Sequence, residues 1–287
     1  MTRMHADELE IDDELVRALV EAQFPEWSSL PLRRVEPWGT VHAIYRLGDE
    51  LSLRLPRRLE WSDDEHVVAQ WLPRFAPALP VAIPIPIAQG EPGAGYPCHW
   101  SVCTWIEGDD GIVAPWDPLA AARDLAAFIA SLQSVEIAGG QLGRDRLANR
   151  GDEMRERVER QGPRAVEVWE EALAAAPWEA APVWCHADLD ARNWLVRDGR
   201  IVGIVDWESF GAGDPAADVM TAWKLHSLEA AQLFRDTLGV DADTWMRARG
   251  WAVAQASSAL GYYTLENNAP LVREAERWLR LVLDTSD

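Results

Sequence analysis

Three oxygen-bearing side chains flank a strand–turn–strand pattern that begins in the stretch His186-Ala187-Asp188-Leu189-Asp190-Ala191-Arg192-Asn193-Trp194-Leu195-Val196. Asp188 and Asn193 fall on an irregular run directly before the apolar strand pattern Trp194 to Val196. Asp206 falls directly after the next one, Ile201 to Val205, across a turn marked by Asp198-Gly199. A hairpin would bring those strand ends together and let Asn193 and Asp206 offer oxygens to one magnesium ion, a hard cation that prefers them. Asp188, just upstream of Asn193, would project from the loop towards an incoming hydroxyl. Phosphoryl transfer divides labour in this way: one group orients the attacking hydroxyl, metal neutralises phosphate charge, and the protein supplies further positive charge. Aspartates beside turns also serve structure alone, as Asp198 illustrates, so the residue types by themselves leave both readings open.

The elements that must position these residues can be read from periodicity. Ile11 to Phe24 has helical spacing and is stopped by Pro25. Leu32 to Trp38, Ala43 to Leu47 and Leu51 to Leu55 read as strands, the last two joined by a Gly48-Asp49 turn. Ser62 to Phe75 fits a helix capped by Ser62 and weakened at its end by Pro73. The proline-rich run Pro77 to Pro97 predicts an extended connection or edge strand, and His99 to Ile106 a further strand. Beyond Gly108 the character changes. Leu119 to Val135 and Ala165 to Ala176 read as helices, Gly139 to Gly151 as loop, Val183 to Cys185 as a strand, and residues 216 to 284 as overwhelmingly helical. The expected class is α+β: a small antiparallel-sheet lobe over residues 1–107, led by an acidic helix, then a larger, mostly helical lobe over 108–287.

Composition narrows the partners. The 287-residue chain carries 47 acidic against 27 basic residues, a net charge of -20, and acidic residues are in excess on both sides of Gly108. Such a surface repels nucleic acid and attracts cationic small molecules, although acidity also serves solubility. No apolar run approaches the roughly 20 residues that cross a bilayer. The first residues carry Asp7, Glu8, Glu10, Asp12, Asp13 and Glu14, the reverse of a basic signal-peptide head. A cytoplasmic protein without a membrane partner is expected. Cys98, Cys103 and Cys185 are spaced for neither a disulfide framework nor a metal cluster, and Lys224 is the only lysine. The sequence sets no oligomeric state.

The ordered motifs His186-Ala187-Asp188, Asn193-Trp194-Leu195-Val196, Val205-Asp206-Trp207 and Gly213-Asp214-Pro215-Ala216-Ala217-Asp218 resemble the signature of the aminoglycoside phosphotransferase family, within the protein-kinase-like fold. Segments such as Arg54-Leu55-Pro56-Arg57 and Tyr96-Pro97-Cys98-His99-Trp100 resemble a bacterial subgroup of small-molecule kinases. The resemblance implies transfer of the γ-phosphoryl group of ATP or GTP, with Mg2+, to a hydroxyl of a small molecule. Under it Asp188 accepts or orients the hydroxyl proton, and Asn193 and Asp206 ligate metal. His186 braces the loop, Asp218 holds the loop through backbone amides, and Asp214 organises its turn. Ala187 stands where relatives usually carry glycine, which matters if the backbone there needs positive φ.

The kinase fold ordinarily places a phosphate-holding lysine on its third strand, paired with a glutamate on the small-lobe helix. Lys224 lies too far along the chain, so the resemblance points to Arg54, with Glu65 as its partner. Thr40, beside Trp38, Gly39 and His42, lies on the loop expected to cover the nucleotide, which lacks the repeated glycines of a protein kinase. Backbone groups at Thr104 and Ile106 are expected to read the base. Asp190, Glu208 and Glu266, with Glu229 and Asn267 behind them, are the candidate acceptor contacts. A cationic, hydroxyl-bearing acceptor such as an aminoglycoside is the first expectation, and antibiotic resistance the physiological role it raises. A macrolide, amino alcohol or sugar kinase, and a catalytically impaired nucleotide-binding relative, are the alternatives; a protein kinase ranks below them because Asp206-Trp207-Glu208 replaces aspartate-phenylalanine-glycine.

Overall fold

The computed structural model describes residues 7–36, 41–62, 64–137 and 147–285, with the side chains of 64–66 left aside. The chain separates into two compact units, one of Met1–Pro77 with Ala82–Glu107, the other of Ala78–Val81 with Gly108–Asp287.

The first unit is one helix-covered antiparallel sheet. Helix α1 (Asp13–Gln23) starts where the Asp12 carboxylate accepts the Leu15 amide at 2.8 Å, with Asp13 and Glu14 in the first turn against the helix dipole. Strands β1 (Leu32–Arg34), β2 (His42–Leu47) and β3 (Leu51–Pro56) precede helix α2 (Asp64–Phe75), and β4 (Pro86–Gly90) and β5 (Trp100–Thr104) follow it. The sheet order is β1-β2-β3-β5-β4, so the proline-bearing β4 takes an edge, where a missing amide costs no ladder bond. Alternation along β2 sends Ala43, Tyr45 and Leu47 into a core with Leu53, Leu55, Val102 and Trp100, closed by Val16, Leu19 and Val20 of α1. Trp100 lies flat against Gly90, where any Cβ would come within 2.0 Å of the indole.

Several expected elements shorten or shift. The strand foreseen over Leu32 to Trp38 ends at Arg34. Helix α2 runs through Pro73 to Phe75 and begins at Asp64, later than expected; Ser62 closes a preceding 3-10 turn, and its hydroxyl accepts the His99 amide at 2.9 Å.

The second unit is mainly helical. It opens with β6 (Asp109–Asp110) and helices α3 (Pro118–Gln133), α4 (Gly151–Glu159) and α5 (Pro163–Ala174). Strands β7 (Val183–Cys185), β8 (Trp194–Arg197), β9 (Arg200–Ile204) and β10 (Gly211–Gly213) follow, then α6 (Ala216–Val219), a 3-10 turn at Met220–Lys224, and α7 (Leu228–Leu238), α8 (Ala242–Tyr262) and α9 (Leu265–Asp284). Two small sheets, β6-β8-β9 and β7-β10, carry the loops of interest. Helix α8 is buried along most of its length and packs on α4, α5, α6 and α9. Sequence periodicity missed α4, because its nine residues bury only Val158 and its face is held by Arg–Glu pairs. Among the described residues no helix is long and apolar enough to cross a membrane.

Candidate active site

The loop between β7 and β8 is fixed at both ends by strand pairing. Cys185 opposite Gly211 delivers His186, and Trp194 opposite Ile204 begins the β8–β9 hairpin. The hairpin register sets Asn193 against Val205, whose amide donates to the Asn193 carbonyl at 3.0 Å, so Asp206 follows one residue beyond Asn193's partner.

Within the loop each polar group has a defined task. Asp218, buried on α6, accepts the His186 amide at 2.9 Å and the Ala187 amide at 2.6 Å, one on each carboxylate oxygen. Directly after these two pinned amides the backbone turns left-handed at Ala187, whose φ is +67°. The Thr221 hydroxyl donates to the Leu189 carbonyl at 3.0 Å. His186 is fully buried, and its ring bridges the loop to the end of β9. Nε2 donates to the Val205 carbonyl at 3.1 Å, while Nδ1 accepts the Asp188 amide at 3.3 Å. These two partners define a neutral tautomer. Burial pushes the His186 pKa down to about 4, against the opposing pull of the Asp188 charge. A ring so held braces the loop; both nitrogens are already engaged.

Asp188 is half-buried, and both of its carboxylate oxygens accept hydrogen bonds. Asn193 Nδ2 donates to Asp188 Oδ2 at 3.2 Å and to its main-chain carbonyl at 2.7 Å; Gln255 Nε2, from α8, donates to Oδ1 at 2.7 Å. With its nitrogen turned to Asp188, Asn193 presents its Oδ1 as the atom on offer to a cation. An amide oxygen and the Asp206 carboxylate, brought together by the hairpin register, are a donor set that fits magnesium, which takes one or two protein oxygens and completes its shell with water and phosphate. Asp206 has φ +65°, a conformation that aspartate tolerates better than most residues. Among the described residues no group of three or more His, Cys, Asp or Glu side chains forms a metal cluster.

Behind Asp188 lies a charge cluster that the sequence did not disclose. Asp190 is completely buried; Arg192 grips both its carboxylate oxygens, at 2.9 and 2.6 Å, and Lys224 Nζ stands 3.8 Å away. Burial opposes its ionisation, but Arg192 and Lys224 outweigh that and hold the carboxyl below its usual range. This corrects the expectation of an acceptor contact: a carboxylate enclosed by two cations presents nothing to an acceptor. Lys224, itself buried over the Trp278 ring at 4.9 Å, is lowered from its ordinary pKa by burial. Arg192 keeps part of its side chain exposed, with Nη2 3.8 Å from Asp188 Oδ1, and Asp190, Asp188 and Asp206 together keep it charged despite burial.

The remaining candidates scatter. Glu208 is half-buried, near enough to His186 to act on its charge, and Glu266 is exposed in the first turn of α9. Glu229 is exposed at the start of α7. Asn267 belongs to a capping box: its Oδ1 accepts the Thr264 amide at 2.8 Å, so it serves the helix start and leaves the candidate acceptor set. Asp214 is held by Arg247 at 2.6 and 3.1 Å and accepts the Ala216 amide, which ties the turn to α8.

In the first unit Arg54 lies on β3, opposite Ile44 and Ser101, with Nη2 3.4 Å from His42 Nδ1. Thr40 lies outside the described residues, and Glu65 is placed on α2 by backbone alone. At Thr104 the amide donates to the Ile85 carbonyl at 2.9 Å and the hydroxyl accepts the Ile85 amide at 2.9 Å, so of its backbone groups the donor is engaged in β-pairing. Ile106 makes no backbone hydrogen bond among the described residues.

Arg192 and Gln255 had escaped sequence reading. Arg192 sits inside the motif and could have been suspected from its charge. The only signal for Gln255 was a long polar side chain amid the small residues Ala252, Ala254, Ala256 and Ser257.

An antiparallel-sheet unit followed by a helical unit, with an aspartate–asparagine loop and a hairpin aspartate in the second, defines the kinase-like class of phosphotransferase folds. The chain belongs to the phosphotransferase enzyme family, whose model matches residues 34–254. Among solved structures it is similar to aminoglycoside 2'-phosphotransferase-IIIa in its GDP complex, with a TM-score of 0.71 and 16% identity over 95% of this chain and 99% of that one. It is also similar to the apoenzyme of macrolide 2'-phosphotransferase MphH from Brachybacterium faecium, with a TM-score of 0.64 and 22% identity over 96% and 100% of the two chains. An aminoglycoside 3'-phosphotransferase from Escherichia coli is 34% identical over 65 residues, so the match spans about a quarter of that curated relative, 24% of its length and 23% of this chain.

Proposed function

We propose that this protein transfers the γ-phosphoryl group of ATP or GTP to a hydroxyl of a small, cationic acceptor, an aminoglycoside being the first candidate. The acceptor oxygen attacks the γ-phosphorus, the bond to the β–γ bridging oxygen breaks, the nucleoside diphosphate leaves, and Asp188 takes the hydroxyl proton. Asn193 Oδ1 and the Asp206 carboxylate would hold Mg2+, which supplies neutralisation of phosphate charge when bound. Arg54 contacts the nucleotide phosphates in place of a lysine, Glu65 supports it, and Ile106 meets the base. Glu208 and Glu266 remain as acidic contacts for the acceptor. Three buried cysteines that form no disulfide among the described residues suit the reducing cytoplasm in which we place the protein.

The observation that carries this reading is the Asn193 clamp on Asp188. One amide holds Asp188 by its nitrogen and would offer its oxygen to the cation, so the residue would join the two halves of the reaction. The test is magnesium-dependent turnover of ATP and GTP against aminoglycosides, a macrolide, amino alcohols and sugars. Asp188→Ala is expected to lower kcat with the productive acceptor about 10²- to 10⁴-fold, the range of a lost general base. Nucleotide binding without transfer to any acceptor would identify an impaired relative instead, the reading that Arg54 in place of lysine favours.

A further inference from the structure

Gln255 reaches Asp188 from α8, across 67 residues of sequence, and gives its amide nitrogen to Oδ1 at 2.7 Å. Its other end is buried, and Oε1 accepts no hydrogen bond among the described residues. That asymmetry bears on what the side chain does. A glutamine serving only packing leaves a desolvated carbonyl without compensation, and a leucine would fill a similar volume with no such penalty. The benefit of the amide lies at Asp188.

Asp188 is held from two elements. Asn193, on its own loop, takes Oδ2 and the main-chain carbonyl; Gln255 takes Oδ1. Arg192 is no substitute, because it stands 3.8 Å from Oδ1 and is committed to Asp190. Two donors on opposite oxygens fix the rotation of the carboxylate while leaving each oxygen a second lone pair for an incoming hydroxyl. Helix α8 also packs on α6, whose Asp218 pins the start of the same loop, so one helix governs both the loop and its base.

We propose that Gln255 is a positioning residue for Asp188, setting from α8 the orientation of the carboxylate that receives the acceptor's proton. This rests on the phosphotransferase reading above.

The test compares wild type, Asp188→Ala, Gln255→Leu and Gln255→Glu in magnesium-dependent nucleotide turnover, with the acceptor found by the panel and with water alone. Gln255→Leu is expected to keep or raise the thermal midpoint while lowering kcat about 10- to 100-fold, with nucleotide KM changed less than about threefold. Gln255→Glu supplies a readout that packing would not move. The introduced carboxyl donates to Asp188 while protonated and repels it once ionised, so the rate relative to wild type rises as pH falls from about 8 to about 5.5. The charged group in contact with that position is Asp188; Arg192 lies 3.8 Å from the same carboxylate oxygen, and Asp190 and Lys224 stand behind Arg192. Wild-type kcat in Gln255→Leu, or a Gln255→Glu ratio that is flat with pH, overturns the inference alone when Asp188→Ala is inactive. Should Gln255→Leu fail to fold, the Gln255→Glu profile decides. A wild type without turnover, or an active Asp188→Ala, overturns both this inference and the phosphotransferase reading.

Discussion

Ala187 shows how one methyl group records the demands of a site. Its backbone turns left-handed directly after two consecutive amides meet the Asp218 carboxylate, and its φ of +67° places Cβ against the carbonyl. For an alanine that conformation costs about 1–2 kcal/mol, while glycine would forfeit about 0.4–1 kcal/mol through its freer unfolded chain. The difference predicts that Ala187→Gly stabilises the protein by about 0.5–1 kcal/mol. A urea titration should show a higher midpoint at unchanged slope; a lower midpoint would mean that neighbouring bonds already relieve the strain. Asp190 teaches the opposite lesson at the same scale. Two residues from Asp188, it looked like a substrate contact, but sequence could not reveal that Arg192 and Lys224 enclose it.

Between elements, the His186 ring ties the β7–β8 loop to the residue after β9, and the tie has a sign in pH. The folded pKa of about 4 lies below the ordinary value near 6.5. Above about pH 6.5 the ring is neutral in both states and adds no pH dependence. As pH falls from about 6.5 to 4 the unfolded chain takes up a proton that the folded ring refuses, so stability declines by up to about 1.4 kcal/mol per pH unit; below about 4 the decline ends. His186→Asn should therefore shrink the stability difference between about pH 7 and pH 5 by about 2 kcal/mol, measured by denaturant unfolding at both. An unchanged difference would place the acid sensitivity elsewhere. Much at this scale was legible in sequence. The Trp194–Val196 and Ile201–Val205 patterns fold as β8 and β9, because strand patterning and turn residues are local chemistry. What was hidden depends on partners distant in sequence. Ser62 accepts the His99 amide, the Thr104 amide and hydroxyl are engaged by Ile85, and Gln255 acquires meaning only when α8 lies beside the loop. Asn267 is a local exception, since its capping box with Thr264 could have been read directly.

For the whole molecule the governing quantity is the net charge of -20, which no pair of residues creates. Its field attracts cations over distances set by the Debye length, about 8–10 Å at physiological salt and about 30 Å in dilute buffer. The two-unit α+β fold was foreseeable from composition, since strand patterns and turns crowd the first part of the chain and alanine-rich helical periodicity the second. The identity of the acceptor was not, because it depends on how scattered acidic groups such as Glu208 and Glu266 meet a particular ligand. Electrostatics separates the candidates. If the acceptor is a polyammonium compound, kcat/KM for it should fall about three- to tenfold between roughly 10 and 200 mM sodium chloride, as screening removes the long-range attraction. A neutral polyol acceptor should change less than about twofold over the same range, because it carries no charge for the field to act on. Parallel salt series on one charged and one neutral acceptor make this measurable without knowing the contacts, since nucleotide binding and any salt effect on folding are common to both. Equal slopes for the two would remove the acidic field as a reason to favour a cationic acceptor and leave sugars on equal footing.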